Sequence, residues 1–81
     1  MATVRFFAAA RDAAATSDER IDAGTVGGVL AAARARHGDH FAAVLAQCRV
    51  WVNGEPADDD TPVGPGDEVA VLPPVSGGCG R

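Results

Sequence analysis

Apolar and polar residues alternate from the start of the chain. Over residues 3–9, Val4, Phe6 and Ala8 share one face and Thr3, Arg5 and Phe7 the other, the two-residue period of a strand. Residues 10–15 are rich in alanine, with Arg11 and Asp12 among them. They read as a connection, although their helix propensity is high. Residues 16–22, Thr-Ser-Asp-Glu-Arg-Ile-Asp, are expected to form a second, polar strand that pairs with the first as a hairpin. The period then changes. Val26, Val29, Leu30 and Ala33 fall at i, i+3, i+4 and i+7, one face of a helix, with Thr25 as its N-cap and Arg34 and Arg36 turned toward water. Gly38 is suited to end that helix. Asp39 is suited to cap a shorter one that carries Phe41, Val44, Leu45 and Cys48 at helical spacing.

Alternation returns over residues 48–53, and Asn53-Gly54 is a strong hairpin signal because both residues accept the positive φ of a tight turn. Residues 55–65 carry Asp58, Asp59 and Asp60 in a row together with prolines, and read mostly as loop. A Gly-Pro-Gly-Asp turn over 64–67 leads into a last strand, Glu68–Leu72, which Pro73-Pro74 stops. The expected division is a domain over residues 1–74 and a flexible tail over residues 75–81.

The order strand, strand, helix, strand, short strand or loop, strand predicts an α+β fold with one main helix packed on one face of a mixed sheet. The ubiquitin-like β-grasp is the compact arrangement that suits it. With the helix on one face, Val4, Phe6, Val50, Val52, Val69 and Val71 are core candidates. Alternation then sends Phe7, Trp51 and Leu72 to the open face. Large apolar residues there suggest a docking surface, unless they pack at the rim of the core.

Composition narrows the function. The 81 residues, 47% of them hydrophobic, make one small domain. No apolar run approaches the roughly 20 residues of a membrane span, and the N-terminus lacks the pattern of a signal peptide, so a cytoplasmic protein with no membrane association is expected. Net charge is −4, and the seven cations are scattered arginines. Nucleic-acid binding, which needs a concentrated basic surface, is therefore not expected. Lysine is absent. Compositional bias accounts for that; so does the advantage, to a protein bearing an activated acyl group, of having no side-chain amines to acylate. Of the two cysteines, Cys48 reads as a small buried hydrophobe and Cys79, in a glycine-rich tail, as exposed. With His37 and His40 they have no metal-ligand spacing, and no metal or other bound cofactor is expected.

The tail Pro73-Pro74-Val75-Ser76-Gly77-Gly78 carries the most chemistry. Diproline favours an extended path away from the sheet, and two residues without side chains can thread a narrow channel. A carboxylate presented this way is a poor electrophile until it becomes an acyl-adenylate. A sulfur nucleophile can then displace AMP and leave a thiocarboxylate. Such a carrier needs no catalytic side chains of its own, because catalysis belongs to its partners.

These residues make the chain resemble the small subunit of molybdopterin synthase, in the MoaD/ThiS-type family of ubiquitin-like sulfur carriers. Val4-Arg5-Phe6-Phe7-Ala8 resembles that family's opening strand, with Arg11 at the usual distance. Val52-Asn53, Gly66-Asp67-Glu68-Val69-Ala70 and the Pro-Pro-Val-Ser-Gly-Gly ending also match, so the resemblance spans residues 3–78. It implies that Gly78, preceded by Gly77, is adenylated by a ubiquitin-activating-type enzyme using ATP and Mg²⁺ and becomes a thiocarboxylate. It implies that the tail then inserts into the large synthase subunit and donates sulfur to the cyclic pyranopterin precursor. Phe7, Arg11 and Leu72 match partner-interface positions, and Pro73, Pro74, Val75 and Ser76 belong to the inserted tail.

One feature departs from the family, which ends at the second glycine. Here Cys79-Gly80-Arg81 follows and blocks the Gly78 carboxylate. Removal by a metal-dependent peptidase is the simplest explanation. Service in another pathway, such as that of cysteine or a thio-containing natural product, is a second. A persulfide on Cys79 ranks last, since nothing nearby obviously lowers its pKa. A protein modifier joined to target lysines, or a ubiquitin-like interaction domain, stands as an alternative of a different class.

Overall fold

The opening alternation makes a strand, but a shorter one than residues 3–9. In a computed structural model of the chain, which describes residues 1–73, β1 runs over Ala2–Phe6 and buries Ala2, Val4 and Phe6. The alanine-rich connection is a helix, α1, Ala8–Ala14. Ala8 therefore belongs to the helix and not to the strand face. Alanine is the best helix former, and Ala10 and Ala14, four apart, give α1 the one face it buries. Ala15 ends it in the left-handed region, at φ 61°, with its N–H on the Arg11 carbonyl. The second strand, β2, is Asp18–Ile21. It pairs antiparallel with β1 as expected, but a helix separates the two in place of a hairpin turn.

The main helix, α2, covers Val26–His37 and buries the four residues its spacing selected: Val26, Val29, Leu30 and Ala33. The Thr25 side chain accepts the Gly28 N–H at 3.1 Å. Two further N–H groups of the first turn are satisfied by the loop that crosses it: Val26 donates to Thr61 O and Gly27 to Asp59 O, both at 2.9 Å. A Cβ on Gly27 would meet that Asp59 oxygen at 3.1 Å, so the close approach uses the missing side chain. Gly38, at φ 90°, closes α2. It is also the residue before the third helix, α3, Asp39–Leu45, so Asp39 is the first helical residue and not the cap.

The remaining strands are β3, Arg49–Val52; a two-residue β4, Glu55–Pro56; and β5, Glu68–Leu72. Asn53 and Gly54, both at positive φ, make the turn between β3 and β4. The sheet order is β2-β1-β5-β3-β4, with β1 and β5 parallel and the other pairs antiparallel. This is the mixed sheet of a ubiquitin-like β-grasp. Val69 and Val71 are fully buried beside Val4 and Phe6, whereas Val50 and Val52, nearer the sheet edge, are only half-buried. Phe6 and Phe41 meet edge to face with ring centres 5.4 Å apart.

Edge strand β2 is fastened to α2 by polar contacts. Glu19 lies opposite Val4, on the core side. Its carboxylate is 2.8 Å from His37 Nε2 and accepts from Arg36 at 3.3 Å. Arg36 also donates to the Arg20 carbonyl at 3.2 Å. Arg36 is thus exposed yet engaged, unlike the free surface residue its place off the stripe predicts. No described helix is long and apolar enough to cross a membrane.

Candidate functional site

Because β5 is the middle strand, the chain leaves the domain from the centre of the sheet. Val71 and Val69 point into the core and pair with Val50 and Val52. Leu72 and Ala70, one residue out of phase, face the other way, opposite Arg49 and Trp51. Phe7 continues β1 by one extended residue, with its N–H on Val71 O at 3.1 Å, and so stands beside Leu72. It is 39% exposed; among the described residues, Phe7 and Met1 are the exposed large hydrophobic side chains.

The open face is therefore an apolar strip of Phe7, Leu72, Ala70 and Trp51. Arg5 and Glu68 pair beside it; with both side chains about half exposed, that pair adds little stability. Arg11 is exposed one helical turn after Phe7. Trp51 is half-buried, and it also walls a groove of about 730 Å³ along the β3 edge with Leu30, Leu45 and Pro56. It is therefore a rim residue as well as an open-face one. Arg49 and Ala70 were available to the same alternation but did not stand out, because neither is a large apolar residue.

Of the tail, Leu72 is half-buried and Pro73 exposed. Pro74, Val75, Ser76, Gly77 and Gly78 lie outside the described residues, as does Cys79. Pro73 walls a second groove of about 220 Å³ with Ala9 of α1, His40, Ala43 and Val44 of α3, Gln47 and Cys48. Cys48 is half-buried, and its thiol lies 3.3 Å from the Val44 carbonyl. Burial pushes the thiol pKa up. Among the described residues, no three His, Cys, Asp or Glu side chains gather as metal ligands.

Similar structures share this fold. SAMP1 from Haloferax volcanii is 31% identical, over 95% of this chain and 98% of that one, with a TM-score of 0.81. A putative molybdopterin converting factor subunit 1 from Pyrococcus furiosus is 27% identical over 91% of this chain and 97% of its own, also at 0.81. The complex of subunits 1 and 2 of the molybdopterin-converting factor from Helicobacter pylori contains a chain 27% identical, over 95% and 97%, at 0.71. No curated relative matches significantly. A family model, that of the ThiS family, matches residues 4–78, from the second residue of the opening alternation to the second glycine of the tail. The chain belongs to the ThiS family.

Proposed function

We propose that this chain is a sulfur carrier of molybdopterin biosynthesis that works from the carboxylate of Gly78. The observation that carries this reading is where the family match stops. It ends at residue 78, the second glycine, and leaves Cys79-Gly80-Arg81 outside. A tail rooted on the central strand, beside Phe7 and Leu72, can enter a partner's active site while the apolar strip seats the domain on that partner. The resemblance to the two molybdopterin converting factor chains favours this pathway.

The chemistry is divided between chains. A metal-dependent peptidase removes the last three residues and exposes the Gly78 carboxylate. A ubiquitin-activating-type enzyme, using ATP and Mg²⁺, joins that carboxylate to AMP and releases pyrophosphate. A sulfur donor then displaces AMP, and the thiocarboxylate delivers sulfur inside the large synthase subunit. The carrier contributes a docking face, a narrow tail and the reacting carboxyl group. A carrier role for cysteine or a thio-containing natural product would use the same first steps. A modifier role is favoured by one observation, the 31% identity to SAMP1; a similar structure of the H. volcanii protein is described as a small archaeal modifier protein.

The test is to incubate a chain ending at Gly78 with the activating enzyme, ATP, Mg²⁺ and a sulfur donor, and then with the large subunit and its precursor. Exchange of one oxygen for sulfur at the C-terminus, followed by return of the carboxylate as sulfur-containing product forms, is the expected result. A thiocarboxylate that the large subunit cannot discharge would move the chain to another sulfur pathway. An isopeptide bond to target lysines without any thiocarboxylate would make it a modifier.

A further inference from the structure

The 730 Å³ groove along the β3 edge carries opposite charges at its two ends. Strand β4 pairs with Trp51 and Val52 only, so the first half of β3 has no strand on its outer side among the described residues. Leu30 of α2, Leu45 of α3 and Val50 of β3 give the groove an apolar floor there. Asp59 marks one end. Its carbonyl accepts the Gly27 N–H at 2.9 Å, which fixes it beside the first turn of α2. Arg34 marks the other end, seven residues after Gly27 on the same helix, a rise of about 10 Å. Both residues are exposed, and neither forms an ion pair among the described residues. Arg49, at the start of β3, adds a second cation without an ion pair to the lining.

We propose that this groove is the interface of a homodimer, two copies of the chain meeting about a twofold axis that crosses it near Leu30. Such an axis lays each end of the groove against the opposite end in the other copy. Arg34 of each copy then meets Asp59 of the other, so one contact is made twice. A twofold interface requires this self-complementarity, and a groove of one sign would repel its own copy. A foreign segment of one sign would match one end and be repelled at the other. The two apolar floors are covered together. Trp51, half-buried on the groove wall, is the residue type that most often anchors an interface. The charge pairs at the rim set the register and reject other partners more than they add affinity.

The dimer does not depend on the carrier reading. Phe7, Leu72 and Pro73 do not line this groove. Pairing therefore leaves the root of the tail uncovered and takes only Trp51 from the open-face strip.

The test is sedimentation equilibrium of the full chain from micromolar to millimolar concentration. Emission of Trp51, the chain's only tryptophan, is followed over the same range. A reversible dimer is expected, with Trp51 emission shifting to the blue as it forms. Arg34→Glu and Asp59→Arg should each raise the dissociation constant about tenfold or more, because each sets like charges against one another. An equimolar mixture of these two variants should form a heterodimer, since every facing pair is then of opposite sign. The double variant should dimerise like the parent, which also shows that both positions accept the changes without unfolding. A parent that stays monomeric to millimolar concentration would overturn the proposal. So would a dimer that neither single variant weakens, or single variants whose mixture and whose combination in one chain both stay monomeric. The readout is mass in solution without any partner, so failure of the carrier assay leaves it unaffected.

Discussion

Asn53 and Asp67 fasten the β3–β4 turn to the start of the central strand. Asn53 Nδ2 donates to Asp67 Oδ1 at 3.0 Å, and Asn53 Oδ1 accepts the Glu68 N–H at the same distance. The other Asp67 oxygen accepts the Gly64 N–H at 2.8 Å. One side chain thus joins a residue at φ 51° to the strand from which the tail departs. Asn53→Ala removes both contacts and places alanine in a left-handed conformation. A loss of about 1–3 kcal/mol is expected in urea unfolding. Asn53→Gly, which restores only the backbone tolerance, should recover part of it.

The same pair sets an acid response. The hydrogen bond from Asn53, followed by that from Gly64, holds the Asp67 pKa below its ordinary value. A carboxyl group depressed in the folded state stabilises the fold above its unfolded pKa, about 3.9, and loses that contribution as pH falls through the folded value. Melting temperature should therefore drop on acidification below about pH 4, and Asn53→Ala should flatten that part of the profile. Parallel profiles for the two proteins would show that Asp67 is not a source of the acid sensitivity.

A second backbone prediction concerns Ala15, which ends α1 at φ 61° and ψ 25°. A non-glycine residue there costs roughly 1–2 kcal/mol, and glycine's greater freedom when unfolded takes back about half of that. Ala15→Gly should raise stability by about 0.5–1 kcal/mol, read as a rise of a few degrees in a thermal melt of a domain this size.

These local features show what was legible in the sequence. The α2 face and its cap followed from spacing, because a buried amphipathic helix must repeat at 3.6 residues. The Asn53-Gly54 turn followed from backbone chemistry. Helix α1 did not: alanine carries almost no hydrophobic contrast, so Ala10 and Ala14 sink into the core without marking a period. Phe7 and Leu72 were placed correctly on the open face because alternation from the buried Val4, Phe6, Val69 and Val71 fixes them. Their adjacency depends on the parallel pairing of β1 with β5, which joins residues more than sixty positions apart and has no local signal.

Leu72 tests the docking role proposed for that face. It is half-buried on the side away from α2, opposite Arg49. Leu72→Asp should leave the fold cooperative, because its neighbours Val69 and Val71 keep the core filled. Placing an unpaired charge in an apolar contact should weaken binding to the activating enzyme or the large subunit by on the order of 2 kcal/mol. Calorimetry of the complex alongside a melt of the free protein separates the two effects. Unchanged affinity would remove Leu72 from the interface, and global unfolding would show that it belongs to the core.

Gly78 tests the carrier chemistry itself. Residues 1–73 contain the whole sheet and all three described helices, so a substitution at position 78 is expected to leave the melt within about 0.5 kcal/mol of the parent. On the carrier reading proposed above, the reacting carbon is the carbonyl of this residue, and adenylation requires ATP and the bare backbone to meet in one enclosed site. A methyl group on the adjoining Cα enters that space at the step where the carbonyl becomes tetrahedral. Gly78→Ala, made in a chain ending at 78, should therefore form the adenylate or transfer sulfur about tenfold more slowly or worse, a rise in barrier of about 1.4 kcal/mol or more. An interaction domain that works only through its sheet predicts no such separation of stability from rate. Single-turnover measurements of thiocarboxylate formation and of sulfur transfer, each with its cognate partner, make the comparison. If both rates match the parent, the terminal glycine is a spacer and the reacting group must be sought elsewhere on the chain.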